Sequence, residues 1–182
     1  MKVRTAIALS VFSLAAAPSA WADGGSRRIA AELVGYNEPP SVSTTGNGRF
    51  KARINREETA IEYELSYGDL EGNVQQAHIH LGQRGVNGGI VVFLCTNLGN
   101  GPAGLQGSQP CPPPPATVGG TITMVDVTPN TGAVTQGIAA GEFAELVGAI
   151  RAGATYVNVH SDRWPGGEIR DQLGKSHGRD DD

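Results

Sequence analysis

Cysteine and histidine are scarce in this 182-residue chain, with two of the first and four of the second. Beyond the N-terminal segment no apolar run approaches the ~20 residues that a membrane-crossing helix needs. No basic stripe is present, and 14 Lys and Arg are outnumbered by 18 Asp and Glu for a net charge of −4. That balance argues against nucleic acid as a partner. No H-E-x-x-H motif occurs, and no carboxylate stands two or three residues from the one H-x-H pair, so the usual pattern of a zinc hydrolase is missing. Asn87-Gly88-Gly89 and Gly166-Gly167 read as turns, because no helix N-terminus follows them to hold a phosphate. No internal repeat is visible.

The first 22 residues, MKVRTAIALSVFSLAAAPSAWA, place Lys2 and Arg4 ahead of an apolar run and end in Ala20-Trp21-Ala22. This is the layout of a secretory signal peptide, with a retained N-terminal anchor as the alternative. Cleavage predicts a periplasmic or secreted chain starting near Asp23, with 182 − 22 = 160 residues and a net charge of −4 − 2 = −6. That length suits one domain, over 23–174, and the polar residues 175–182 are expected to form a disordered tail. In an oxidising compartment the lone pair Cys95 and Cys111 reads as a disulfide, with paired soft metal ligands as the alternative. It would close a Gly- and Pro-rich loop of roughly 15 residues with too few apolar side chains to hold itself by packing.

Short alternating segments separated by Gly, Pro, Asn and Asp predict strands near 29–35, 48–54, 60–67, 74–81, 89–95, 119–125, 154–160 and 167–173. Apolar residues at Phe143, Leu146, Val147 and Ile150, followed by Gly153, predict one short helix over 142–151. Eight strands and one helix make an all-β antiparallel sandwich or barrel.

Half of the histidines fall in one heptapeptide, QAHIHLG at 76–82. Side chains alternate across a strand, so Ala77, Ile79 and Leu81 share the core face, and His78 and His80 point the other way. The same parity in YVNVH turns Val157 and Val159 inward and puts Tyr156, Asn158 and His160 on the outer face. In GEIRDQL it sends Ile169 and Leu173 inward, with Glu168, Arg170 and Gln172 outward; Asp171 falls awkwardly on the core side. An i, i+2 pair on a strand sets two imidazoles about 6–7 Å apart at the backbone, within reach of one ion at about 2.0 Å. A third outward histidine would complete an N₃ set, whereas solvated surface histidines are the bland alternative. Imidazole suits copper, zinc, nickel and iron, and divalent copper binds nitrogen sites most tightly. Copper is therefore expected, with zinc as the alternative. Candidate groups around the ligands are Asn158, Glu168 and Arg170. Trp164-Pro165 is expected to cover the turn after His160. Ligands on an outer face also predict little cost to stability on truncation, and metal release below the ordinary imidazole pKa of about 6.5.

Several stretches together carry a resemblance: EPP at 38–40, AHIH at 77–80, NGGIVVFLC at 87–95, QGI at 136–138 and AIRAGATYVNVHSDRWPGGEIRDQL at 149–173. The chain resembles the CHRD (chordin-type) domain of secreted bacterial proteins from about Ile29 to Leu173, departing from it at Asp171, where Gly is more usual. That family is in turn distantly similar to copper,zinc superoxide dismutase. The resemblance implies a Greek-key sandwich with His78, His80 and His160 as copper ligands. The sequence has no counterpart of the metal-bridging histidine, the zinc cluster or the active-site arginine loop. An exported copper-binding protein without turnover is the leading expectation. The alternatives are a structural or protein-interaction module, as the domain serves in animal chordin, and a residual dismutase. A homodimer or other protein partner stays open.

Overall fold

Alternation of apolar and charged residues builds the first three strands. In the computed structural model, which describes residues 27–102, 109–129 and 136–175, Arg28–Val34 forms β1, Asn47–Ile54 β2 and Ala60–Gly68 β3. Ile61, Tyr63, Leu65 and Tyr67 of β3 are buried while Glu62 and Glu64 face out. Opposite charges meet across the ladder where Lys51 pairs with Glu64 and Arg53 with Glu62. The predicted signal peptide and the tail with His177 lie outside the described residues.

Val74–Leu81 forms β4, Ile90–Thr96 β5, Ala116–Thr123 β6, Thr155–Ser161 β7 and Ile169–Lys175 β8. All pair antiparallel in the order β5-β4-β7-β8-β1-β2-β3-β6, and the end strands β5 and β6 approach one another to nearly close a barrel. Counted across that seam, β4, β5 and β6 run side by side and β7 returns beside β4, which is a Greek key. Side chains bridge the seam. Gln109 Nε2 donates to Leu94 O of β5 (3.0 Å) and to Gly119 O of β6 (3.4 Å), and the Tyr63 hydroxyl donates to Leu94 O (3.2 Å). The disulfide between Cys95 and Cys111 ties the segment carrying Gln109 to β5. The one α-helix among the described residues, α1 (Phe143–Arg151), buries Phe143, Leu146, Val147 and Ile150 in the barrel core.

The elements depart from expectation at three places. Strand β8 spans 169–175 rather than 167–173, because Gly167, at φ +130° with its N–H donating to Trp164 O, still belongs to the turn. Strand β6 spans 116–123 rather than 119–125, because the Asp126 carboxylate accepts the Thr123 N–H (2.8 Å) and turns residues 124–126 into a 3-10 turn. Asp171 needs no bulge in the β7–β8 pairing to be accommodated. The β1–β8 ladder is interrupted between the pairs Ala30–Gly174 and Val34–Arg170. In that gap the Asp171 carboxylate accepts the Glu32 N–H (3.1 Å) and the Asn37 amide (3.2 Å).

Strands β4 and β7, like β5, are covered on both sides. Every residue of β7 is buried, although its sequence alternates. Ala77, Ile79, Val157 and Val159 face the core. The opposite face lies beneath three connections: residues 35–42, 82–89 and 162–167.

Candidate metal centre

Register decides which side chains meet on that second face. Across β4–β7, Gln76 pairs with His160, His78 with Asn158 and His80 with Tyr156. His160 is thus the diagonal neighbour of His78, which is itself two residues from His80. On the other flank of β4 the β5 register shifts between Ala77 and His78 and again between Ile79 and His80. Such irregularities re-aim side chains, and here Phe93 is brought opposite His78.

The result is a cluster of three imidazoles, with one ligand atom from each of His78, His80 and His160 lying within 4.8 Å of the others. Parity put these side chains off the barrel core, as the structure does, but not in solvent: they are 0%, 7% and 6% exposed. The reason is that the connecting loops form a second layer over β4 and β7.

Those loops fix the rings. His80 Nδ1 donates to Gly88 O (2.9 Å) and His160 Nδ1 donates to Pro165 O (2.9 Å). A carbonyl can only accept, so in the neutral rings Nδ1 carries the hydrogen and Nε2 keeps its lone pair. His78 Nδ1 lies 3.3 Å from His160 Nε2. Nε2 of His78 and Nε2 of His80 are buried and have no hydrogen-bond partner. The rest of the wall is aromatic. The edge of Phe93 meets His78 at a centroid distance of 4.6 Å, and Tyr156 stacks on His80 at 4.6 Å and 3°.

Burial pushes all three imidazoles below their ordinary value. His78 is brought down to about 2, with the neighbouring His160 and His80 adding to the effect. His80 is brought down to about 4, partly opposed by its bond to Gly88, and His160 is lowered as well. Neutral rings with free lone pairs are what a metal ion requires.

The three surrounding candidates fall into different places. Asn158 touches the cluster: its Oδ1 lies 3.1 Å from His160 Nε2, and its Nδ2 donates to Glu38 Oε1 (3.4 Å). Arg170 stands one layer back. Its guanidinium sits 3.2 Å from the centroid of Tyr156, on the ring that stacks on His80, and it donates to Asn87 Oδ1 (3.1 Å) and Val86 O (2.8 Å). Glu168 takes no part in orienting an imidazole. Its Oε1 instead accepts from the Thr44 hydroxyl (2.7 Å) and the Glu71 N–H (2.6 Å), joining two loops. Trp164-Pro165 acts through the Pro165 carbonyl.

Sequence reasoning missed Glu38, Phe93, and the carbonyls of Gly88 and Pro165. Glu38 is 5% exposed and burial pushes its carboxyl up to about 7, against the pull of Arg170 and Asn158. The EPP stretch was visible, but nothing in it said that the chain folds back over the histidines. No signal at all marks a carbonyl.

Among the described residues, no helix is long and apolar enough to cross a membrane. No curated protein matches the sequence and no solved structure matches the fold. The family model of the CHRD domain matches residues 29–173, from the second residue of β1 to within two residues of the end of β8, with His78, His80 and His160 inside it, and the chain belongs to the CHRD domain family.

Proposed function

We propose that this protein is an exported copper-binding domain that holds one ion through His78, His80 and His160 and carries out no turnover. The observation that carries it is the pair of buried nitrogens, Nε2 of His78 and Nε2 of His80, that no protein group satisfies. A buried polar atom left without a partner costs about 1–3 kcal/mol. An ion bound by both nitrogens and by His160 removes that penalty. Copper is favoured over zinc by the all-nitrogen donor set and by the absence of a carboxylate or thiolate within it. The missing bridging histidine favours storage or transfer of the ion over redox turnover. Export is supported by the leader-like first 22 residues and by the disulfide.

The test is copper titration of the untagged protein and of His78→Ala, His80→Ala, His160→Ala and His177→Ala. Wild type and His177→Ala should bind one copper per chain, and each of the other three should lose far more than tenfold in affinity. Equal affinity in wild type and His160→Ala defeats the proposal and leaves an interaction module in its place. N-terminal sequencing of the exported protein should begin near Asp23.

A further inference from the structure

The charge around the three histidines is unusual for a divalent ion. The donor set is three imidazoles, all neutral when they bind metal. Phe93 and Tyr156 are apolar toward the cluster. Behind Tyr156 stands the Arg170 guanidinium, 1% exposed, whose hydrogen bonds go to the neutral acceptors Asn87 Oδ1, Val86 O and Gln83 O. Glu38 reaches the cluster only through Asn158, whose amide is neutral. A cation entering here meets no anion in the donor set and one fixed positive charge nearby, which Glu38 offsets in part only where its carboxyl is ionised.

Two consequences follow from elementary electrostatics. The cost of taking an ion out of water grows with the square of its charge, so a divalent ion pays about four times what a monovalent ion does. Repulsion by Arg170 doubles between +1 and +2. Coordination number acts in the same direction. Zinc takes about four ligands, whereas these three rings, at most 7% exposed, leave little access for added water ligands.

We propose that the His78–His80–His160 cluster is built for a monovalent d¹⁰ cation, cuprous copper, in preference to cupric copper or zinc. This rests on the metal-binding reading above and adds the charge state of the ion.

The test uses the full, untagged apo protein. Cuprous copper is titrated anaerobically against a cuprous chelator, silver(I) serves as a redox-silent monovalent probe, and zinc and cupric copper are titrated against divalent chelators. Cuprous copper and silver should bind one per chain, with cuprous copper held at least about a thousandfold more tightly than zinc, equivalent to about 4 kcal/mol. Each tenfold preference for cuprous over cupric copper raises the one-electron potential of the bound couple by about 59 mV, so that potential should lie above that of the aqueous ion. Asn158→Asp supplies the missing anion beside His160 Nε2 and should narrow the cuprous-to-zinc ratio by at least about tenfold. Zinc or cupric copper bound as tightly as cuprous copper by the wild type overturns the proposal, whether or not the variant folds. Failure of every ion to bind overturns the metal-binding reading itself, and this inference with it.

Discussion

His78 Nδ1 lies 3.3 Å from His160 Nε2, although the two residues are 82 positions apart in the chain. The β4–β7 register alone makes this contact, because it pairs His78 with Asn158 and so leaves His160 on the diagonal. A slip of one residue would turn one member of the pair into the barrel core.

Truncating these rings should cost stability even without metal. The outer-face expectation implied almost none, but His78 is fully buried between Phe93 and its two partners. We expect His78→Ala to destabilise the apo protein by about 1–3 kcal/mol, the loss of packing being partly offset by removal of an unsatisfied nitrogen. Urea denaturation measures this, and an unchanged midpoint would contradict the burial.

Metal should be held to lower pH than ordinary imidazoles allow. With His80 down to about 4 and His78 lower still, protons compete poorly, so half-release is expected below about pH 5 rather than near 6.5. A pH titration of bound metal at fixed chelator excess reads this directly.

Apo stability should carry two opposed pH dependences. An unfolded imidazole titrates near 6.5 and the folded ones lower, so between those values the unfolded chain binds more protons. The histidine contribution is therefore fully present above about 6.5 and fades as pH falls toward 4. Glu38 runs the other way. Its carboxyl rises from 4.5 to about 7 in the fold, so its contribution is present below 4.5 and is lost as pH rises through about 7. Glu38→Gln should abolish the alkaline loss and leave the acid loss intact, as denaturation midpoints from pH 4 to 8 would show.

Gly167 should tolerate no side chain. Its φ is +130°, and a Cβ there would run into the Glu38 carboxylate and the Asn158 amide. Gly167→Ala should destabilise the protein by more than about 1 kcal/mol and weaken metal binding through Asn158. Unchanged binding in a folded variant would separate Asn158 from the site.

Reducing the Cys95–Cys111 disulfide should cost about 3 kcal/mol by the chain-entropy relation for a sequence separation of 16. Denaturation with and without reductant, at matched pH, gives the difference.

Much of this architecture was legible in the sequence because β1, β2 and β3 obey a simple rule: charged residues out, apolar residues in. The histidine trio was legible for the same reason, parity. What parity cannot supply is what lies over a face. Glu168, Arg170 and the histidines share one pattern of alternation, yet Glu168 joins loops, Arg170 backs an aromatic ring and the histidines converge. Those fates depend on where residues 35–42, 82–89 and 162–167 travel, and a loop's path is fixed by tertiary contacts rather than by local periodicity. Asp171 shows the same limit, since its partner is the Glu32 N–H, on the neighbouring strand of the sheet but 139 residues away in the chain.

Two of the three imidazoles are anchored by main-chain oxygen, from Gly88 and Pro165. Every amino acid carries that oxygen, so mutation cannot delete it and can only shift its position. Most side chains in these two loops are therefore free to drift over evolutionary time, while the positions that dictate the trace are not. At Gly88, for example, a Cβ would overlap the Leu81 carbonyl. The anchoring of the site is thus inherited as a path through space, and a comparison that scores only side chains will overlook it.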